Sequence, residues 1–408
     1  MNSQNKLKII NDPIYGFITI PSVLIFELIE HKYFQRLRRI SQMGMSYLVY
    51  PGAQHNRFHH ALGAMHLMQK AVQVLRFKGV IISDEEAEAL NIAILLHDIG
   101  HGPFSHAMEH SIVERVDHEQ ISLLFMDALN KEFNNRLTLA IQIFKNEYSR
   151  NFFCQLISGQ LDMDRMDYLK RDSFYTGVSE GAVNSQRLIS MLNVFEDNLV
   201  VEEKGIYSVE KFIIARRLMY WQVYLHKTGL VAEQLLLLLL KRAKELTAMG
   251  IILPASKALT FFLNKTITLD KFDTEVLDTF AKLDDYDIFS AMKSWISEDD
   301  FVLKNISEML LYRDLLKIEM QTEPFSEEKI NNAKDSMMNK YAITEKEASY
   351  FVFTGTITNQ AYSMDKDTIN LLTKSGEIID VAQASDQLNL KALSKVVLKN
   401  YMCFPKTK

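Results

Sequence analysis

Nine of the eleven histidines fall between positions 55 and 118: His55, His59, His60, His66, His97, His101, His106, His110 and His118. At their centre stands Leu95-Leu96-His97-Asp98-Ile99-Gly100-His101-Gly102-Pro103-Phe104-Ser105-His106, where a His-Asp doublet closes an apolar helix and a glycine-rich turn follows. An imidazole and a carboxylate at the end of a buried helix can project into a cleft and hold a divalent cation. One more His and one more carboxylate complete four protein ligands and leave positions for water and substrate. His60, on the preceding helical stretch, and Asp164, in Asp162-Met163-Asp164-Arg165-Met166-Asp167-Tyr168, are the candidates. A lone His-Asp pair reads equally as a helix cap with a neighbouring salt bridge, because two-residue motifs recur by chance.

The elements that must position these groups are mainly helical. Only 15 Gly and 7 Pro interrupt 408 residues, which favours long helices. The spacing predicts helices over 22–43, 57–77, 84–96, 160–172 and 209–249, the last interrupted near Gly229. Ser83-Asp84-Glu85-Glu86 has the form of a capping box. Asp164, Tyr168 and Asp172 stand at i, i+4 and i+8 and share one helix face, so a ligand, a phenol and a second carboxylate can line one wall. Taken by itself, that face reads as a solvated acidic surface with a half-buried Tyr. Residues 198–207 read as a hairpin turning at Lys204-Gly205. After about residue 345 the texture becomes β-rich, at 350–354, 369–373 and 376–380. The expected architecture is a mainly α body over 1–345 and a small mixed α/β region over 346–408 packed on it. Leu235 to Leu240 read as a buried helix or an oligomer seam.

Composition narrows the class. With 48% hydrophobic and 24% charged residues the chain can bury a large core. A net charge of -5 gives no global field for nucleic acid. Cys154 and Cys403 form no disulfide scaffold and fit a reducing compartment. The first residues lack the apolar core of a signal peptide, and the longest uniform apolar run is too short for a bilayer. A soluble cytoplasmic protein without a membrane partner is expected.

Several ordered motifs resemble the HD-domain deoxynucleoside triphosphate triphosphohydrolases (dNTPases, dGTPases). They are Lys8 to Gly16, Phe34 to Gly44, Tyr50 to Ala53, His55 to Gly63, His97 to His106, Asp117 to Gln120 and Asp162 to Asp172. The resemblance runs from about residue 8 to 240, with the core over about 50–180. It implies an HD-type helical bundle in which His60, His97, Asp98 and Asp164 hold a metal ion, drawn from Mn, Fe, Ni, Zn or Mg. It implies His106 as the proton donor, oriented by Glu109 where relatives commonly carry Asp, with His118 assisting. Arg57 and His101 would contact phosphate, as would Arg165 where many relatives have Lys. Tyr168 would meet the phosphates. Asp172 and Gln42 would hold the sugar 3′-hydroxyl, and Tyr224 would lie beneath the deoxyribose, excluding a 2′-hydroxyl, with Met43 at its border.

The reaction so implied converts a dNTP, with dGTP a candidate favourite, to deoxynucleoside and inorganic triphosphate. Relatives are often oligomers activated by a second nucleotide. Lys8, Asn11, Gln35 and Arg38 match positions of that second site, so a homodimer or tetramer stimulated by GTP or dGTP is expected. The rivals are another HD phosphohydrolase acting on a nucleoside monophosphate, a cyclic nucleotide or a guanosine alarmone, and a nucleotide-sensing regulatory protein.

Overall fold

The computed structural model describes residues 8–104, 113, 116–363, 368–386 and 395–406. The chain is mainly α. A hairpin of β1 (Ile9–Asp12) and β2 (Gly16–Thr19) leads into α1 (Val23–Glu30), capped by the Ser22 hydroxyl accepting from the Ile25 N–H. The single helix expected over 22–43 is broken at His31. That residue is extended (φ -66°, ψ 141°), and its ring accepts from the Tyr33 N–H to start a short helix over Lys32–Gln35, followed by a 3-10 turn over Arg36–Arg39. The break turns Arg36 into the interior.

The central layer is α2 (Arg57–Phe77) packed on α3 (Asp84–Leu96), with α4 (His118–Glu132) and α5 (Met163–Thr176) around it. The Ser83–Glu86 capping box forms as expected. Helix α5 starts at the Asp162 cap and ends at Gly177, whose φ of 75° suits glycine. The hairpin β3 (Leu192–Phe195) and β4 (Asn198–Glu202) turns at Glu196-Asp197, both at positive φ, and not at Lys204-Gly205. Lys204-Gly205 instead leads directly into α6 (Ile206–Met219).

A π-turn over Tyr220–Tyr224 ends that helix, and α7 (Lys227–Ala248) follows. The interruption therefore lies at Leu225-His226 rather than Gly229, with the His226 ring accepting from the Thr228 N–H as cap. Leu235, Leu236, Leu239 and Leu240 are fully buried inside this chain. Burying each contributes about 1.5–3 kcal/mol. Helix α8 (Asp285–Trp295) and α9 (Phe301–Leu311) close this side, α9 packing on α7.

Strands on both sides of residue 345 share sheets. β9 (Val397–Phe404) lies between β5 (Lys317–Gln321) and β6 (Phe353–Asn359), and β7 (Asn370–Leu372) runs parallel to β4 and pairs with β8 (Ile378–Asp380). Tyr350 and Phe351 are buried ahead of β6, not within it. Among the described residues no single helix is long and apolar enough to cross a membrane.

Candidate metal centre and adjoining cleft

Three helices deliver four ligand-type side chains to one point. His60 comes from the first turn of α2, His97 and Asp98 from the end of α3, and Asp164 from the first turn of α5. His60 Nε2 and His97 Nε2 stand 3.0 and 3.4 Å from one Asp164 oxygen, and 3.8 and 3.4 Å from the Asp98 carboxylate. Four ligands about 2.1 Å from a common ion are separated by about 3.0–3.4 Å, so the group has the span of a coordination shell. Both Nε2 atoms are buried without a hydrogen bond of acceptable geometry. Such orphaned lone pairs fit a cation.

The second ring nitrogens fix those lone pairs. His60 Nδ1 is 2.8 Å from Asp167 Oδ2, and His97 Nδ1 is 2.6 Å from the Ile94 carbonyl. Each partner accepts the Nδ1 proton and leaves Nε2 aimed at the centre. Asp167 in turn accepts two bonds from the fully buried Arg171, at 2.9 and 3.0 Å, and Arg171 reaches Asp12 of β1 at 2.8 Å. Gly63 makes room for this relay, since a Cβ there would lie 2.0 Å from Asp167 Oδ1 and 2.2 Å from an Arg171 nitrogen.

The electrostatics follow. Burial alone would lower His60, but the Asp164 and Asp167 carboxylates raise it to about 10, so a divalent ion would bind by displacing the Nε2 proton and freeing that lone pair. Burial pushes Asp98 up, and His101, His97 and Arg57 more than offset it, holding it well below the usual carboxylate range. Asp164 is likewise held down, against burial, by His60 and His97. His101 is driven down to about 3 by burial and by Arg57, so it stays neutral in any ordinary buffer. Its Nε2 is 3.1 Å from Asp98, and its ring stacks on His118 with centroids 3.9 Å apart. Asp98, His101 and His118 form a second compact group beside the first.

The turn after the doublet is clamped. Arg36 donates to the Ile99 and His101 carbonyls at 2.7 and 2.5 Å. The Ser122 hydroxyl donates to the His97 carbonyl and accepts from the Gly100 N–H. A Cβ at Gly100 would meet α4 backbone at 2.2 Å.

A cleft of about 380 Å³ adjoins the centre and is lined by Gln42, Met43, Arg57, Tyr168, Asp172 and Tyr224 among others. Arg57 Nη1 donates to Asp98. Asp172 accepts from the Tyr224 hydroxyl at 2.7 Å on one oxygen, and its other oxygen is 2.7 Å from His55 Nε2. The Gln42 side-chain oxygen is buried without a partner among the described residues. Arg165 turns back to Asp162 at 2.6 Å and is not among the cleft-lining side chains. His106 and Glu109 lie outside the described residues. His55, Asp167, Arg171 and Asp12 stand in the sequence motifs but were given no role there. The one signal for them was the i, i+4 pairing of Asp167 with Arg171 directly behind Asp164.

The HD domain family matches residues 57–172, and the HD associated region matches residues 183–251. A solved phosphohydrolase structure from Bacteroides thetaiotaomicron VPI-5482 is 51% identical with a TM-score of 0.95, covering 98% of this chain and 100% of that one. The YwfO protein of Bacillus subtilis (strain 168) is 31% identical, over 93% of this chain and 88% of its own. A Dictyostelium discoideum deoxynucleoside triphosphate triphosphohydrolase SAMHD1 homolog is 32% identical over 247 residues, covering 56% of this chain and 48% of its own. The fold and the His-Asp centre define a metal-dependent HD-domain phosphohydrolase. The chain belongs to the HD-domain phosphohydrolases.

Proposed function

We propose that the chain hydrolyses deoxynucleoside triphosphates to deoxynucleoside and inorganic triphosphate. The observation that carries this reading is the chain of hydrogen bonds from Tyr224 to Asp172 to His55, each 2.7 Å, in a cleft that borders the four-ligand centre. It holds a phenol and a hydroxyl-accepting carboxylate side by side, which suits a sugar with a 3′-hydroxyl and no 2′-hydroxyl. In this reading His60, His97, Asp98 and Asp164 would hold the divalent ion. Such an ion, whether Mn, Fe, Ni, Zn or Mg, supplies Lewis-acid polarisation of a phosphate oxygen and activation of water.

The protein's own groups do the rest. Arg57 and His101 meet the phosphates, with Tyr168 beside them, and Arg165 contributes positive charge from the α5 side. Asp172 and Gln42 take the 3′-hydroxyl. Water attacks the α-phosphorus in line, the bond from phosphorus to the 5′-oxygen breaks, and His106 gives its proton to that oxygen. Glu109 orients His106, and His118 supports the same region from α4. Oligomer formation and stimulation by GTP or dGTP belong to the same reading. Arg38 there donates to Gln35 at 2.8 Å and lies over the Phe58 ring. Equal rates with and without added GTP or dGTP would count against stimulation.

Sugar discrimination tests the reading. Tyr224→Ala is expected to raise kcat/KM for an rNTP relative to its dNTP by about tenfold or more. An unchanged ratio would remove Tyr224 from the selection.

A further inference from the structure

Two separate stretches of chain wall the cleft beside Arg57, one carrying Gln42 and Met43 and the other Phe104. The first stretch is held on one side by the start of α2. The Gln42 N–H donates to the His55 carbonyl and the Arg57 N–H to the Ile40 carbonyl, each at 3.0 Å, in an antiparallel bridge of Ser41 with Asn56. In such a bridge the intervening N–H points away from the partner. The Ser41 N–H accordingly faces α8, where Asp285 Oδ2 accepts it at 2.8 Å. The other oxygen of the same carboxylate accepts from the Phe104 N–H at 3.2 Å. Phe289, at i+4 from Asp285 and so on the same face of α8, repeats the pattern. Its ring centroid is 5.6 Å from that of Phe104 and 6.3 Å from that of Tyr47, in the 3-10 turn over Gly44–Leu48 that follows Met43. Neither Asp285 nor Phe289 is among the side chains that line the cleft.

Asp285 is 5% exposed, and its bonded partners are neutral N–H and O–H donors. Burying a carboxylate against neutral donors is unfavourable, and burial raises its carboxyl above the ordinary value despite the Ser41 and Phe104 donors. What the arrangement supplies is a fixed separation between two loops that have no other helix in common. Gln42 depends on it, since its side-chain oxygen is buried without a partner among the described residues and can meet a ligand only where the main chain puts it. We propose that Asp285 is a positioning residue for sugar recognition, which holds Ser41 and Phe104 so that Gln42 meets the 3′-hydroxyl of a bound nucleotide. This rests on the dNTP reading above. A polar group misplaced by about 1 Å forfeits most of its contact, so loss of the tie is expected to fall on the 3′-hydroxyl and to spare the phosphates.

The test measures binding of dATP and of 2′,3′-dideoxy-ATP by calorimetry on metal-stripped protein, where nothing is hydrolysed. The wild type is expected to bind dATP about tenfold or more tightly than the dideoxy nucleotide. Asp285→Ala is expected to reduce that ratio about fivefold or more through weaker dATP binding, with the dideoxy nucleotide changed by less than about twofold. Asp285→Asn, whose amide can accept only one of the two N–H groups, is expected to fall between. Phe289→Leu, which keeps the carboxylate, gives a second comparison if the Asp285 variants fold poorly, and it is expected to lower the ratio in the same direction. Asp300→Asn, which removes a paired carboxylate at the far end of the bundle, is expected to leave the ratio at the wild-type value. Equal weakening of both nucleotides in Asp285→Ala, an unchanged ratio, or a wild type that binds neither nucleotide or does not distinguish them would overturn the proposal. Discrimination that follows Asp285 while no dNTP yields triphosphate in a metal-loaded product assay would instead defeat the reaction and leave the positioning role standing.

Discussion

A histidine becomes a ligand when its other nitrogen is already engaged. His60 and His97 both meet this condition, one through Asp167 and the other through the Ile94 carbonyl. Burial raises the Asp167 carboxyl, and Arg171 with His60 brings it down to about 2, so it is an anion throughout the working range. Asp167→Asn removes that anion while keeping the shape, and it is expected to weaken metal affinity about 10–100-fold. Metal content after dialysis against a graded chelator reads this directly, and wild-type retention would contradict the relay. At this scale the convergence of His60, His97, Asp98 and Asp164 was legible, because a metal shell would constrain residue type and helix position together. Asp167 and His55 were not, because each works through a neighbour and neither has a spacing of its own. The resemblance implies Arg165 as a phosphate contact, and its guanidinium is held by Asp162 at the α5 cap.

Helix ends do the positioning. The His-Asp doublet sits where α3 stops, Asp164 follows the Asp162 cap of α5, and Tyr224 is the last residue of a π-turn. Asp285, the first residue of α8, accepts from the Ser41 N–H at 2.8 Å and the Phe104 N–H at 3.2 Å, tying two walls of the cleft together. At the far end of the bundle Asp300 caps α9 through the Leu303 N–H and pairs with Arg242 of α7. Burial raises the Asp300 carboxyl, and Arg242 with backbone donors brings it below its ordinary value. A depressed carboxylate stabilises the fold above its unfolded pKa of about 3.9, and that stabilisation is lost as pH falls through the folded value. Asp300→Asn keeps the cap oxygen and should cost about 1–3 kcal/mol at pH 7. Urea unfolding is expected to show the difference from wild type intact above about pH 5 and shrinking below about pH 4; a gap constant down to pH 3 would contradict it. Element types were readable from periodicity, but their ends were not. His31 broke a periodic stretch by capping the next turn, and the hairpin turned at Glu196-Asp197, both at positive φ, while Lys204-Gly205 looked the better turn in isolation.

At the scale of the molecule, one large core joins the helices around α2 and α3 to the C-terminal strands, and the two sheets straddle residue 345. The sequence carried the helical body well, because long amphipathic stretches announce themselves. β5 and β9 were missed, since each pairs with a strand far along the chain. The His-Asp centre and the Tyr224–Asp172–His55 wall meet only in three dimensions, drawn from four separated segments. The decisive measurement is a product assay with Mn²⁺ and each dNTP and rNTP, resolved by ion exchange, beside a His97→Ala/Asp98→Ala control. Inorganic triphosphate with deoxynucleoside, formed from dNTPs and absent in the control, is the expected result. Products limited to monophosphate or phosphate, or triphosphate undiminished in the control, would contradict the reaction proposed for this centre.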